Sequence, residues 1–154
     1  MIDTPGLIEI PAQAIALVHI ETPRERMQQV MGPGIGEVMA AAKAQGLGPA
    51  GPWFAHHLRM SRDAFDFDIC VPVTAPVSPT GRVVPGERPA MKVVRTVHHG
   101  SYEGLGGAWQ AFTAWAETNR YRTASDLYEC YLVGPETSAD PAAWRTELSR
   151  RVVD

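Results

Sequence analysis

The chain has 154 residues, 45% hydrophobic and 20% charged, with a formal net charge of −3. That length buries a real core without staples and the composition is that of a globular protein, so residues 1–154 are read as one domain. A pI near 5.9 removes the electrostatic case for DNA as a partner; no apolar run approaches a bilayer span and no leader pattern opens the chain, so no membrane association and a cytoplasmic location are expected.

In chain order, Leu7 to Glu21 reads as a first strand, interrupted near Pro11, which confines that part to an edge or bulge. Thr22 to Gly34 holds Pro23, Pro33 and two glycines and reads as a connection with at most a short helical turn. Ile35, Val38, Met39 and Ala42 then recur at i, i+3, i+4 and i+7, one face of a helix that stops at Gly46. Gly46 to Pro52 is a loop.

Trp53 to Met60 is a second strand. Phe65, Phe67, Ile69, Val71 and Val73 alternate with Asp66, Asp68, Cys70 and Pro72, the pattern of a half-buried strand. Ala75 to Pro89, broken by proline and glycine, reads as an exposed hairpin-like connection. Met91 to His99 is a strand, and Ser101 is placed to cap the next helix. On that helix Leu105, Ala108, Trp109, Phe112 and Trp115 or Ala116 share one face. Asn119 to Ser125 breaks the chain, and Leu127 to Val133 is the last long strand. Asp140-Pro141 is a good start for a short helix reaching toward Ser149. Arg150 to Asp154 reads as a short edge strand.

Each half therefore offers a strand, a glycine-containing turn, a helix and further strands. A duplicated β-α-β-β unit predicts an α+β fold, mainly antiparallel, with two principal helices. The two cysteines, Cys70 and Cys130, fall inside strands and read as reduced thiols.

Glu129 is the sharpest chemical feature. Leu127, Glu129 and Tyr131 share one strand face. Alternation alone leaves open whether that face meets solvent or a cavity. In a cavity, a carboxylate among rings is costly unless something pairs with it, and a cationic ligand would do so. Trp53, Tyr102, Trp109 and Tyr131 supply ring surface for stacking and cation–π attraction. His56-His57 and His98-His99 point to opposite strand faces within each pair, and no zinc spacing accompanies them. No metal and no cofactor are expected. The glycine run from Gly100 to Gly107 lacks the Gly-Lys-Ser/Thr ending of a phosphate loop.

The turn His98-x-Gly100-x-Tyr102, the aromatic helix behind it, and Glu129-x-Tyr131 on the last long strand occur in an order that resembles the GyrI-like, or AraC-type effector-binding, family. Gly51-Pro52-Trp53-Phe54 also looks like that family's entry to its second strand. The resemblance implies a central ligand cleft between the halves, with Glu129 as the pocket acid. Trp53, His56, Tyr102, Trp109, Glu129 and Tyr131 are then the expected ligand-binding residues. Family relatives often carry a helix-turn-helix segment; here the first strand starts within about ten residues of Met1, so direct DNA binding is not expected.

The expected function is binding of a lipophilic, aromatic or cationic small molecule. A second reading follows from family members that hydrolyse electrophilic cyclopropane-containing compounds. Glu129 would then be the general base, and Tyr102 or Tyr131 would polarise the substrate carbonyl. A third is a protein-binding module like the family's gyrase inhibitor.

Overall fold

The structure, a computed structural model, describes residues 2–60 and 63–153, with the side chain of Met60 outside the described set. Among the described residues eight strands and two α-helices, joined in places by 3-10 turns, form two compact units. One unit comprises residues 11–90 and the other residues 1–10 and 91–154.

In the unit of residues 11–90, β2 (Gln13–Pro23) leads into α1 (Met27–Ala44). Strands β3 (Phe54–Met60), β4 (Ala64–Pro72) and β5 (Val84–Arg88) follow. The strand order is β3-β4-β2-β5, with antiparallel pairing throughout. Helix α1 packs across β2 and β4, where Val18, Ile20, Phe67 and Ile69 are buried. In the other unit, β6 (Met91–His99), α2 (Leu105–Thr118), β7 (Leu127–Val133) and β8 (Arg145–Arg151) repeat the sequence of elements. Their order is β6-β8-β7, with β1 (Gly6–Ile10) on the outer side of β6. Phe112 and Ala108 of α2 pack on Val94 and Leu148. The α+β class and the duplicated β-α-β-β unit are as the periodicities predict. The outer strand is recruited differently, from before the repeat in one unit and from after it in the other.

The repeat extends to a bulge. Pairing shifts between His57 and Arg59 on β3, and between Tyr131 and Val133 on β7. A leucine, Leu58 or Leu132, is the extra residue in each case. Three residues before the bulge stand Ala55 in one unit and Glu129 in the other. The acid is thus a feature of one unit only.

Several elements differ from their sequence-based expectation. The stretch Leu7 to Glu21 is two strands; Pro11 separates β1 from β2, and each joins a different unit. The connection predicted over Thr22 to Gly34 is a single 3-10 turn, Arg24–Arg26, followed by α1 from Met27 with Pro33 inside it. Proline and glycine argue for a break there, but the burial of Gly34 decides the outcome. A Cβ there would sit 2.6 Å from Ile69 Cδ1 and 2.9 Å from Ile20 Cδ1, so glycine lets the helix lie close on the sheet. Within Ala75 to Pro89, Val84–Arg88 is an edge strand on β2, a position where Pro85 costs no ladder bond.

Ser101 makes no side-chain cap; it precedes a 3-10 turn, Tyr102–Gly104, instead. Asp140 does accept a hydrogen bond from the Ala142 N–H, but the turn it starts ends at Ala143 and the chain continues as β8. That strand lies between β6 and β7, not at an edge, and Asp154 is outside the described residues. Arg145 to Arg151 is polar enough to look like a helix face. Burial of Thr146, Leu148 and Ser149 against both neighbours makes it a central strand. Both cysteines are free thiols, Cys70 buried and Cys130 half-buried. Among the described residues no helix is long and apolar enough to cross a membrane.

The α1 contact yields a paired prediction. Gly34→Val should lower unfolding free energy by about 1–3 kcal/mol through overpacking against Ile69 and Ile20. Gly36→Ala, with nothing within 4 Å of the added carbon, should raise it by up to about 1 kcal/mol through helix propensity. Urea denaturation of both variants measures the two effects; a stabilised Gly34→Val would remove the close-packing account.

Candidate functional site

The site begins at a turn. Gly100 has φ +119°, a conformation an L side chain rarely adopts. His98 precedes it on β6, is 3% exposed, and its Nε2 lies 2.9 Å from the Ser101 carbonyl, to which it donates. Gly104 covers the imidazole so closely that a Cβ would stand 2.9 Å from His98 Cε1. The His-x-Gly-x-Tyr pattern is therefore a device for folding β6 sharply into α2 and delivering Tyr102 at the bend.

Glu129 sits on β7 opposite Leu148, a core residue beneath α2, so its side chain points to the helix-bearing face. It is 9% exposed. The Trp109 indole N–H donates to Oε2 at 2.7 Å, and the Tyr131 hydroxyl donates to Oε1 at 2.8 Å. Both donors are neutral, so these two bonds orient the carboxylate without neutralising it. Such bonds to a charged acceptor are each worth about 1.5–3 kcal/mol, which offsets part of the cost of burial.

Around this acid the rings are ordered. Tyr102 meets Tyr131 edge-on, with centroids 5.9 Å apart, and lies against Trp144 at 4.9 Å. The Trp144 indole is itself held by a bond to the Ser138 carbonyl. Trp109 continues into Phe112, 5.8 Å away. Burial first, then the Glu129 charge and hydrogen bond, push the Tyr131 phenol well above its ordinary range. Burial and then Glu136 and Glu129 raise Tyr102 as well. Tyr131 consequently remains a proton donor to Glu129 over the whole physiological range.

Of the residues expected at the site, Tyr102, Trp109, Glu129 and Tyr131 come together in one unit. Trp53 and His56 belong to the other unit. Trp144 was not anticipated. The Asp140-Pro141 turn marks a change of direction, but nothing in the local pattern says that the indole directly after that turn returns to Tyr102.

Histidines likewise have structural employment: His98 in the turn, and His99 with Nε2 2.8 Å from an Asp3 carboxylate oxygen. A second polar cluster, unanticipated, lies on β2 and β4. His19, Glu21 and Asp66 bring potential metal-ligating atoms within 4.8 Å of one another. The alternations His19-x-Glu21 and Asp66-x-Asp68 place each pair on one strand face. Only the register His19↔Asp68 and Glu21↔Asp66 joins them.

Duplicated β-α-β-β units, one of them carrying an acid-centred aromatic cluster, define a small α+β module. The chain belongs to the GyrI-like family: the family's small molecule binding domain matches residues 4–152. No curated protein matches the sequence significantly. Among solved structures it is similar to the C-terminal domain of EcmrR, with TM-score 0.86, 25% identity and 98% of both chains covered. EcmrR in its DNA complex aligns at TM-score 0.85 and 25% identity over 97% of this chain, which spans 57% of the EcmrR chain. Two more distant structures share the fold. SAV2435 bound to tetraphenylphosphonium aligns at TM-score 0.63 and 10% identity, over 98% of this chain and 94% of that one. A hydrolase encoded by lin2189 of Listeria innocua aligns at TM-score 0.63 and 16% identity, over 97% and 91%.

The raised Tyr131 pKa has a consequence for stability. An unfolded tyrosine ionises near pH ~10, whereas the folded one resists. Its contribution is therefore complete below that pH and is lost as pH rises through the folded value. Tyr131→Phe should flatten this alkaline loss, measured by denaturation between pH 8 and pH 11. A wild-type stability curve unchanged by the substitution would contradict the assignment.

Proposed function

We propose that this chain binds a lipophilic small molecule, aromatic or cationic, beside Glu129. The observation that carries the reading is the buried carboxylate held by two neutral aromatic donors, Trp109 and Tyr131, with the Tyr102 and Trp144 rings alongside. Ring surface supplies affinity by burying apolar area, a term blind to charge. The carboxylate supplies discrimination, because its attraction for a cation grows as water is excluded. The Tyr102 ring, 36% exposed, is the accessible edge of this cluster. SAV2435, a protein of the same fold, is bound to tetraphenylphosphonium, a cation with no hydrogen-bond donors. Such a cation asks of a carboxylate only its charge, which a carboxylate already oriented by Trp109 and Tyr131 can provide.

The test is calorimetry with tetraphenylphosphonium and a neutral compound of the same shape. Glu129→Gln keeps the shape and removes the charge. The cation should lose about 1–3 kcal/mol of binding, the range for a charge-assisted contact, and the neutral compound little. Equal affinity of both proteins for the cation would remove Glu129 from the site. Product analysis of incubations with an electrophilic cyclopropane probes the hydrolase reading of the same residues: turnover abolished by Glu129→Gln with binding retained would favour it.

For nucleic acid the expectation is negative. At net charge −3, the chain has no surplus of cations to release counterions from a duplex. Fluorescence polarisation at physiological salt should give no sequence-dependent binding; a tight, specific complex would overturn this.

A further inference from the structure

We propose that His19, Glu21 and Asp66 form a binding site for a first-row divalent metal ion on the β2–β4 strand pair, with Asp68 orienting the imidazole. The site belongs to the unit of residues 11–90, whereas Glu129 belongs to the other unit, and it lies on the face of its sheet turned away from α1. Ile20, next to His19, points at α1, so the alternation of β2 sends His19 and Glu21 to the other side.

Four observations lead here. The first is donor type: one imidazole nitrogen and two carboxylates, a set suited to Zn²⁺ or Mn²⁺. The second is spacing. His19 Nε2 stands 3.0 Å from Asp66 Oδ1 and 3.5 Å from Glu21 Oε1. Donors with ~2.1 Å bonds to one ion are about 3.0 Å apart in an octahedral site and about 3.4 Å apart in a tetrahedral one. The third is orientation. Asp68 Oδ1 lies 2.7 Å from His19 Nδ1, which fixes that nitrogen as an N–H donor and leaves Nε2, the nitrogen facing Asp66 and hydrogen-bonded to Glu21 Oε1 at 3.5 Å, as the one where a metal ion would replace a proton. A carboxylate behind the distal nitrogen is the usual support of a metal-bound histidine.

The fourth observation is independent of these hydrogen bonds. Asp66 Oδ1 is shut off from solvent yet has no hydrogen-bond partner among the described residues. Its 3.0 Å approach to Nε2 lacks hydrogen-bond geometry, so the two atoms converge on a neighbouring point instead of on each other. A buried carboxylate oxygen without a donor costs free energy, and a cation at that point would remove the cost. The strand register adds to the strain: Glu21 and Asp66 are directly opposite, a like-charge pairing that is unfavourable on a bare sheet. His19 and Glu21 remain solvent-accessible, so an ion can enter without unfolding the sheet. Three protein donors leave coordination positions for water, and the ion would clip β2 to β4.

The experiment uses tag-free, chelator-stripped protein and titrates Zn²⁺, then Mn²⁺, by calorimetry, with Mg²⁺ as the hard-cation control. The titrations are run at pH 8, because the Asp68 hydrogen bond foremost raises the His19 pKa and a proton competes for Nε2. Wild type should bind one equivalent of Zn²⁺ and melt at a higher temperature with it. His19→Ala should abolish both effects, and Glu21→Gln and Asp66→Asn should weaken affinity at least tenfold. Asp68→Asn should weaken it roughly tenfold to a hundredfold. Glu129→Gln should bind Zn²⁺ as wild type does, which keeps this test apart from that of the small-molecule site. Glu21 is 73% exposed at its side chain, so its substitution leaves folding intact and circular dichroism checks the others. No stoichiometric binding by wild type, or equal binding by Glu21→Gln and His19→Ala, would overturn the site; unchanged affinity of Asp68→Asn would overturn the orienting role.

Discussion

The bond from the Trp109 indole to the Glu129 carboxylate joins α2 to β7 at a buried acid. A carboxylate beneath a helix must find donors inside the protein, and two aromatic side chains provide them, Trp109 from the helix and Tyr131 from the same strand. Because Tyr131 is pushed far above its ordinary ionisation range, its proton stays in that bond. The acid, its donors and the neighbouring rings therefore form one preorganised unit. The chemistry of the cluster depends on the rigidity of the β6–α2 bend, which His98, Gly100 and Gly104 enforce.

Duplication explains the architecture but not the chemistry. Both units have the same β-α-β-β path, the same middle strand and a bulge at a leucine. Where the repeat places Glu129 in one unit, it places Ala55 in the other. In the second unit a polar cluster lies on the sheet face away from its helix, where His19, Asp66 and Asp68 meet across β2 and β4. A duplicated scaffold can thus carry an anionic centre against a helix in one copy and a histidine–carboxylate cluster on the opposite sheet face in the other.

The sequence by itself determined the periods: 3.6 for the faces of α1 and α2, and 2 for β4, β6 and β7. These follow from local geometry, because side-chain direction along an isolated helix or strand needs no partner. It also determined the turn at Gly100, where only glycine relieves the backbone, and the grouping of Glu129 with Tyr131 on one strand face. Tertiary structure decided the rest. Pro33 and Gly34 read as breakers, yet close packing on Ile20 and Ile69 carries α1 through them. Arg145 to Arg151 read as helix and edge, yet pairing on both sides makes it a central strand. Strand register brought His19 to Asp68 from 49 residues away, and a turn with no distinctive pattern brought Trp144 to Tyr102. Those outcomes rest on which non-local surfaces meet, and non-local pairing is a property of the folded chain that no window of residues contains.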